Sequence, residues 1–153
     1  MAMIIIVDDD ELIARLASDI LVEASHACGW VTGVEQARAL LKWRRPDMLL
    51  LDHDMPGVTG GEFLRELRGS AYHYDLPVIM FTRMNGIADE EAARYNGAQD
   101  YVRKPFRPED LTYKVQRLLD ARAEREKHRA LEEELRRSSG AGSESAPYLR
   151  RVF

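Results

Sequence analysis

The chain predicts an α/β fold: a five-stranded parallel sheet, doubly wound, with helices on both faces. Three observations carry that prediction. Five short apolar runs recur along 153 residues, helical periodicities fill the gaps between them, and acidic, hydroxyl or basic residues follow most of the runs.

The runs are Met3 to Val7, Ala27 to Thr32, Met48 to Leu51, Pro77 to Thr82 and Gln99 to Val102. Three of them are rich in Ile, Val, Leu or Met without polar alternation. That pattern suits strands buried on both faces, as in a parallel sheet covered by helices. Their shortness and β-branched content favour strands over turns of buried helix.

Helical patterns lie between them. Leu12, Leu16 and Ile20, with Ile13 and Leu21 beside them, predict a first helix, and Val34, Ala37, Leu40 and Leu41 a second. Phe63, Leu64 and Leu67 mark a short third. Ala88, Ala92 and Tyr95 mark a fourth, with Asn96-Gly97 as a left-handed stop. Leu111, Val115 and Leu118 mark a fifth. Strand and helix therefore alternate, which implies right-handed crossovers. In such sheets the active crevice lies at the carboxyl ends of the strands.

The fifth helix runs past domain length, because neither Pro nor Gly interrupts Leu111 through Arg137. Beyond about Asp120 its apolar stripe fades into charge. The expected organisation is a domain over residues 1–120, a helical extension or signalling linker over 121–137 and a flexible Ser/Gly/Ala tail over 138–153. A dimeric coiled coil lacks sustained apolar residues at the seam positions.

Composition narrows the function class. A net charge of −4 with 45% apolar and 31% charged residues is ordinary globular composition and argues against direct nucleic-acid binding. The single cysteine, Cys28, excludes an intramolecular disulfide and reads as a small core residue. No segment approaches the ~20 apolar residues of a membrane span. Met1-Ala2-Met3-Ile4 enters the first run with no basic stretch before it, so no leader is expected and a cytoplasmic location is.

The chemistry sits just after the runs. Asp8, Asp9, Asp10 and Glu11 follow the first, and Asp52, His53 and Asp54 the third. Thr82 ends the fourth, and Lys104-Pro105 follows the fifth. A parallel sheet gathers these at one edge. Carboxylates so gathered repel one another unless a cation sits among them, and hard oxygen donors suit Mg²⁺. One carboxylate then serves as nucleophile toward a phosphoryl group, with the metal, a lysine and a hydroxyl stabilising its oxygens. Taken singly, these residues have plainer roles. Asp10 is expected to cap the first helix, and His53 is expected to be structural, its side chain on the other side of the strand end.

Together the motifs resemble the receiver domain of response regulators, the chemotaxis CheY-like group. The matching text is Ile4-Ile5-Ile6-Val7-Asp8-Asp9-Asp10, Pro46-Asp47-Met48-Leu49-Leu50-Leu51-Asp52-His53-Asp54-Met55-Pro56-Gly57, Pro77-Val78-Ile79-Met80-Phe81-Thr82 and Gly97-Ala98-Gln99-Asp100-Tyr101-Val102-Arg103-Lys104-Pro105-Phe106. The resemblance covers about residues 3–120 and implies the flavodoxin-like strand order 2-1-3-4-5. It also implies that Asp52 is the phosphoacceptor. Asp9 and Asp52 would ligate Mg²⁺ directly, Asp8 through water, and Asp54 through its backbone carbonyl. Thr82 and Lys104 would contact the phosphoryl oxygens, and Tyr101 would be the aromatic switch. The Lys104–Pro105 bond is often cis in this family.

The partners implied are a histidine kinase or histidine phosphotransfer protein as donor and an output domain or effector protein downstream. The switching face is built from the fourth helix, fifth strand and fifth helix. A homodimer through that face or through the C-terminal helix is a further partner to test. The expected activity is self-phosphorylation and autodephosphorylation rather than turnover. Arg83 departs from the family pattern, which has a small residue there. It and Met84 are therefore placed as residues modulating access and lifetime. An alternative reading follows from Arg83: a degenerate receiver serving only as a protein-interaction module. Asp52-His53-Asp54 also superficially matches the nucleophile motif of haloacid-dehalogenase-like phosphatases, but that family places its nucleophile on the first strand.

Overall fold

The computed structural model describes residues 1–83 and 97–140. The strands are β1 (Met3–Val7), β2 (Ala27–Val31), β3 (Met48–Asp52), β4 (Val78–Thr82) and β5 (Asp100–Arg103). All pair in parallel in the order β2-β1-β3-β4-β5, the order the resemblance implies. The described helices are α1 (Glu11–Glu23), α2 (Val34–Leu41), α3 (Gly60–Arg68) and a C-terminal helix (Pro108–Gly140). The helix predicted around Ala88, Ala92 and Tyr95 lies outside the described residues, as does Met84. Gly97, the expected left-handed stop, has φ +102°.

Every residue of β3 and β4 is buried, as expected of unbroken apolar strands in the middle of a parallel sheet. Alternate side chains divide the core. Ile5, Val7, Leu49, Leu51, Val78 and Met80 pack with Val34 and Ala37 of α2 and Phe63, Leu64 and Leu67 of α3. Burial of each large aliphatic contributes about 1.5–3 kcal/mol. The central strands therefore dominate stability, while β2 and β5 are thinner edges.

The helix at Leu12–Leu21 exists, but its buried stripe differs from the apolar one that marks it in the sequence. Ala14, Ala17, Ser18 and Leu21 face inward, whereas Leu12 is 77% exposed and Leu16 50%. The strands already supply bulky Ile and Leu, so a close-lying helix presents small residues to them. Cys28 is half-buried, and burial raises its thiol pKa, in keeping with an unreactive role.

The compact α/β unit spans Met1–Leu118. Residues from Leu119 form a second unit, described to Gly140 and helical throughout. Its side chains pair locally: Arg122 with Glu126 at 3.3 Å, Lys127 with Glu124 at 3.8 Å and Arg137 with Glu133 at 3.8 Å. Each such pair contributes about 0.2–0.5 kcal/mol. Ser138 to Gly140, expected in the tail, continue the helix, and the Ser138 and Ser139 hydroxyls donate back to preceding carbonyls. The rest of the expected tail lies outside the described residues.

Arg68 at the end of α3 ties the amino-terminal edge of the sheet together. Its guanidinium donates to the carbonyls of Gly97 (2.8 Å), His73 (3.3 Å), Tyr74 (3.2 Å) and Leu76 (2.8 Å) and to Gln99 Oε1 (2.9 Å). Gln99 Oε1 also accepts from the Val78 N–H at 2.7 Å, so the approaches to β4 and β5 share one hub. A lysine cannot reproduce this planar fork. Arg68→Lys is expected to cost about 2–4 kcal/mol in urea denaturation. A loss below about 0.5 kcal/mol would show that the hub is dispensable.

Candidate functional site

The register places the chemistry. Val7 pairs with Leu51, Asp52 with Phe81 and Thr82 with Arg103. One residue beyond β1 stands Asp8, at the end of β3 Asp52, at the end of β4 Thr82, and one beyond β5 Lys104. All lie at the carboxyl edge.

Lys104 is the centre. Its Nζ lies 2.6 Å from Asp8 Oδ2 and 3.2 Å from Asp52 Oδ1. The three side chains are 6%, 0% and 4% exposed, so the pairs are nearly dry. The Lys104 N–H donates to the Thr82 carbonyl at 2.8 Å, which anchors the base of the lysine to β4. The ammonium also lies 5.9 Å from the centroid of the Phe81 ring, which stacks on Phe106. The Lys104–Pro105 bond is cis.

The first loop is fixed by its own acids. Asp10 caps α1, as expected, accepting from the Leu12 and Ile13 N–H groups at 3.0 and 3.4 Å. Its own N–H donates to Asp8 Oδ1 at 2.9 Å, so Asp8 has both oxygens engaged. Asp9 is exposed. Oxygens of Asp8, Asp9 and Asp52 all lie within 4.8 Å of one another, a spacing that one hard divalent cation can bridge. The donor set, all carboxylate and partly open to water, fits Mg²⁺ rather than a softer metal.

The second loop is fixed by a glycine that the sequence reading passed over. A Cβ on Gly60 would lie 2.1 Å from the Asp52 carbonyl oxygen, so the start of α3 presses directly on the end of β3. Gly60 N–H also donates to the His53 carbonyl at 3.0 Å, and Thr59 Oγ1 caps α3 by accepting from the Glu62 N–H at 3.2 Å. The Asp54 N–H donates to Asp52 Oδ1 at 3.3 Å. The Asp54 side chain is exposed and His53 half-buried.

A cleft of about 470 Å³ opens over these groups, lined by Asp8, Asp9, Asp52, Asp54, Arg83 and Lys104, with exposed Leu12 of α1 at its side. Arg83 thus shares the cleft with the carboxylates, at the mouth where its sequence position puts it. Thr82 is buried. Tyr101 is half-buried and packs against the core; its carbonyl accepts from Lys114 Nζ at 2.6 Å, and that ammonium lies 4.7 Å from the ring centroid. Asp100, also buried, pairs with Arg117 at 2.8 Å. His26, His53 and His73 are not brought together as ligands.

With this geometry in place, the chain can be compared with known proteins. The family model for the response regulator receiver domain matches residues 4–116. The chain belongs to that family. It is 34% identical over 116 residues to the phosphate regulon transcriptional regulatory protein PhoB of Pseudomonas aeruginosa, covering 76% of this chain and 51% of that one. It is also 34% identical over 120 residues to the heme response regulator HssR of Staphylococcus aureus, covering 78% and 52%. The crystal structure of chemotaxis protein CheY4 of Vibrio cholerae superposes with a TM-score of 0.71 at 29% identity, over 76% of this chain and 98% of that one. The chain spans about half the length of the curated relatives it matches. A receiver of this family is a switch in two-component signalling, not a turnover enzyme. Among the described residues, no helix is long and apolar enough to cross a membrane.

Two carboxylates facing one ammonium leave an uncompensated negative charge in a buried site. Burial, offset by Lys104 and reinforced by Asp8, pushes the Asp52 carboxyl up from 3.8 to about 7. Asp52 therefore holds its proton in the folded protein to a higher pH than in the unfolded chain. Its contribution to stability is lost as pH rises from about 4 through about 7. In metal-free buffer at about pH 8, Asp52→Asn is expected to raise stability by up to a few kcal/mol, and at about pH 4 to change it little. Thermal denaturation at the two pH values checks this; equal shifts at both would contradict it.

Proposed function

We propose that the chain is a phosphorylation-dependent switch of a two-component phosphorelay, with Asp52 as phosphoacceptor. The observation that carries this reading is the buried Lys104 ammonium held between Asp8 and Asp52 at the carboxyl edge of the sheet. The donor is a phosphohistidine on a histidine kinase or phosphotransfer protein. An Asp52 oxygen attacks phosphorus, the P–N bond breaks as the P–O bond forms, and the departing imidazole takes up a proton.

The other residues have defined roles in that step. Asp8, Asp9 and Asp52 would hold Mg²⁺, with the Asp54 carbonyl completing the shell, and the ion would supply positive charge to the phosphoryl oxygens. Lys104 neutralises a phosphoryl oxygen from the other side, and the Thr82 hydroxyl donates to another. Arg83 adds a second protein cation at the mouth, where it screens or admits donors; with Met84 it tunes hydrolysis of the acyl phosphate. Exposed Leu12 at the cleft and Leu16 one turn further along α1 suit a protein donor better than a small metabolite.

Tyr101 is the switch. Its half-buried ring responds to Thr82, and the face formed by the fourth helix, β5 and the C-terminal helix carries the change to an output domain, an effector or a second copy. Cytoplasmic placement belongs to the same reading. The alternative, a receiver that no longer accepts phosphoryl groups and serves as an interaction module, draws on Arg83 in the cleft.

Incubation with Mg²⁺ and acetyl phosphate is expected to add one acid-labile phosphoryl group per chain, seen by intact-mass spectrometry. Asp52→Ala should abolish the addition. Failure of the wild-type protein to label with every donor tried, while remaining folded, would favour the interaction module.

A further inference from the structure

A second groove, of about 480 Å³, opens at the opposite, amino-terminal edge of the sheet. It lies between the α2–β3 connection, which supplies Lys42, Trp43, Arg44 and Arg45, and the turn before β4, which supplies Tyr72. Nothing in the phosphoryl chemistry uses it.

Its composition is unusual for a surface left in water. Trp43 is 88% exposed and Tyr72 78%. Rings of that size contribute to a fold only when covered, and left bare they favour association. Trp, Tyr and Arg side by side are also the residues most enriched where protein interfaces concentrate their binding energy.

The charge is equally one-sided. Arg45 pairs with Asp75. Lys42 and Arg44 have no carboxylate partner among the described residues; Arg44 reaches only the Met3 sulfur, at 3.9 Å. A chain of net charge −4 thus keeps unpaired cations beside the barest aromatic rings among its described residues.

The loop is also held in place. The Trp43 and Arg44 N–H groups both donate to the Leu40 carbonyl, at 3.1 and 3.0 Å. Just beyond, Asp47 is locked to β1: its N–H donates to the Met3 carbonyl at 2.8 Å, and its carboxylate accepts from the Met3 N–H at 2.7 Å. A platform anchored at both ends loses little freedom on binding.

We propose that this groove docks an acidic peptide segment of a partner protein. An apolar or aromatic side chain of the segment seats against Trp43 and Tyr72, and flanking carboxylates meet Lys42 and Arg44. The concave shape suits a side chain in a groove. Two unpaired cations are too few to hold a bilayer at about 1 kcal/mol each or to release enough counterions from a nucleic acid. The inference is independent of the Asp52 reading and concerns the other end of the sheet.

Fluorescence anisotropy tests it with the full chain and a short fluorescein-labelled peptide of glutamates flanking one phenylalanine. Controls replace the glutamates with lysine or the phenylalanine with serine. The glutamate–phenylalanine peptide is expected to bind at least about tenfold more tightly than either control. Trp43→Ala, and separately Lys42→Glu with Arg44→Glu, should each weaken it at least about tenfold. These side chains are exposed, so circular dichroism and acetyl-phosphate labelling should be unchanged, and the charge-reversed protein should take the lysine peptide instead. Equal binding of all peptides, affinity unmoved by either variant, or no binding up to about millimolar peptide would overturn the proposal. So would tighter binding to phosphatidylglycerol vesicles or single-stranded RNA.

Discussion

A single buried ammonium, Lys104, sits between two buried carboxylates, Asp8 and Asp52, and the rest of the compact unit is arranged to hold that contact. Removing the ammonium would leave two buried carboxylates without a counter-charge, which costs about 3–5 kcal/mol. Yet the cluster is not satisfied as it stands. One positive charge faces two negative ones, and burial adds to the cost, which is why the Asp52 carboxyl is pushed up to about 7. A site with that imbalance is built to receive more positive charge. A hard divalent cation would supply it, and exposed Asp9 stands close enough to Asp8 and Asp52 to share one.

Holding three side chains at the ends of β1, β3 and β5 in contact requires a sheet whose register does not slip. The packing of one face provides it, since a one-residue shift would take Leu49, Leu51, Val78 and Met80 away from α2 and α3. Gly60 fixes the loop after Asp52 by letting backbone meet backbone, and Arg68 fixes the far edge by gathering carbonyls onto one guanidinium. The two ends of the sheet are thus specialised differently. The carboxyl edge is acidic and holds the buried ion pairs; the amino edge carries exposed aromatics and cations without a carboxylate partner among the described residues.

Most of this architecture was legible in the sequence because buried parallel strands leave a strong signature: short runs of Ile, Val, Leu and Met bounded by polar residues. The site was legible for the same reason, since strand ends locate its acids, Thr82 and Lys104 without knowledge of any contact. The reading failed where side-chain size rather than hydrophobicity decides. α1 buries Ala14, Ala17 and Ser18 and leaves Leu12 and Leu16 in water, the reverse of what an apolar stripe predicts. Gly60 gave little signal and Arg68 none, because a close backbone approach and a carbonyl hub depend on distant segments. A Gly-Gly pair after a Thr cap was the only available hint for the former. Asp10 was legible as a cap because capping is local.

The proposed function stands on Asp8, Asp9 and Asp52 forming a divalent-cation site beside the Lys104 ammonium. Calorimetric titration of Mg²⁺ into the purified protein tests it most directly, without any phosphodonor. A saturable single-site isotherm is predicted for the wild type, lost on Asp9→Asn or Asp52→Asn and retained on Trp43→Ala. Absence of saturable binding, or binding indifferent to the two aspartate substitutions, would contradict it.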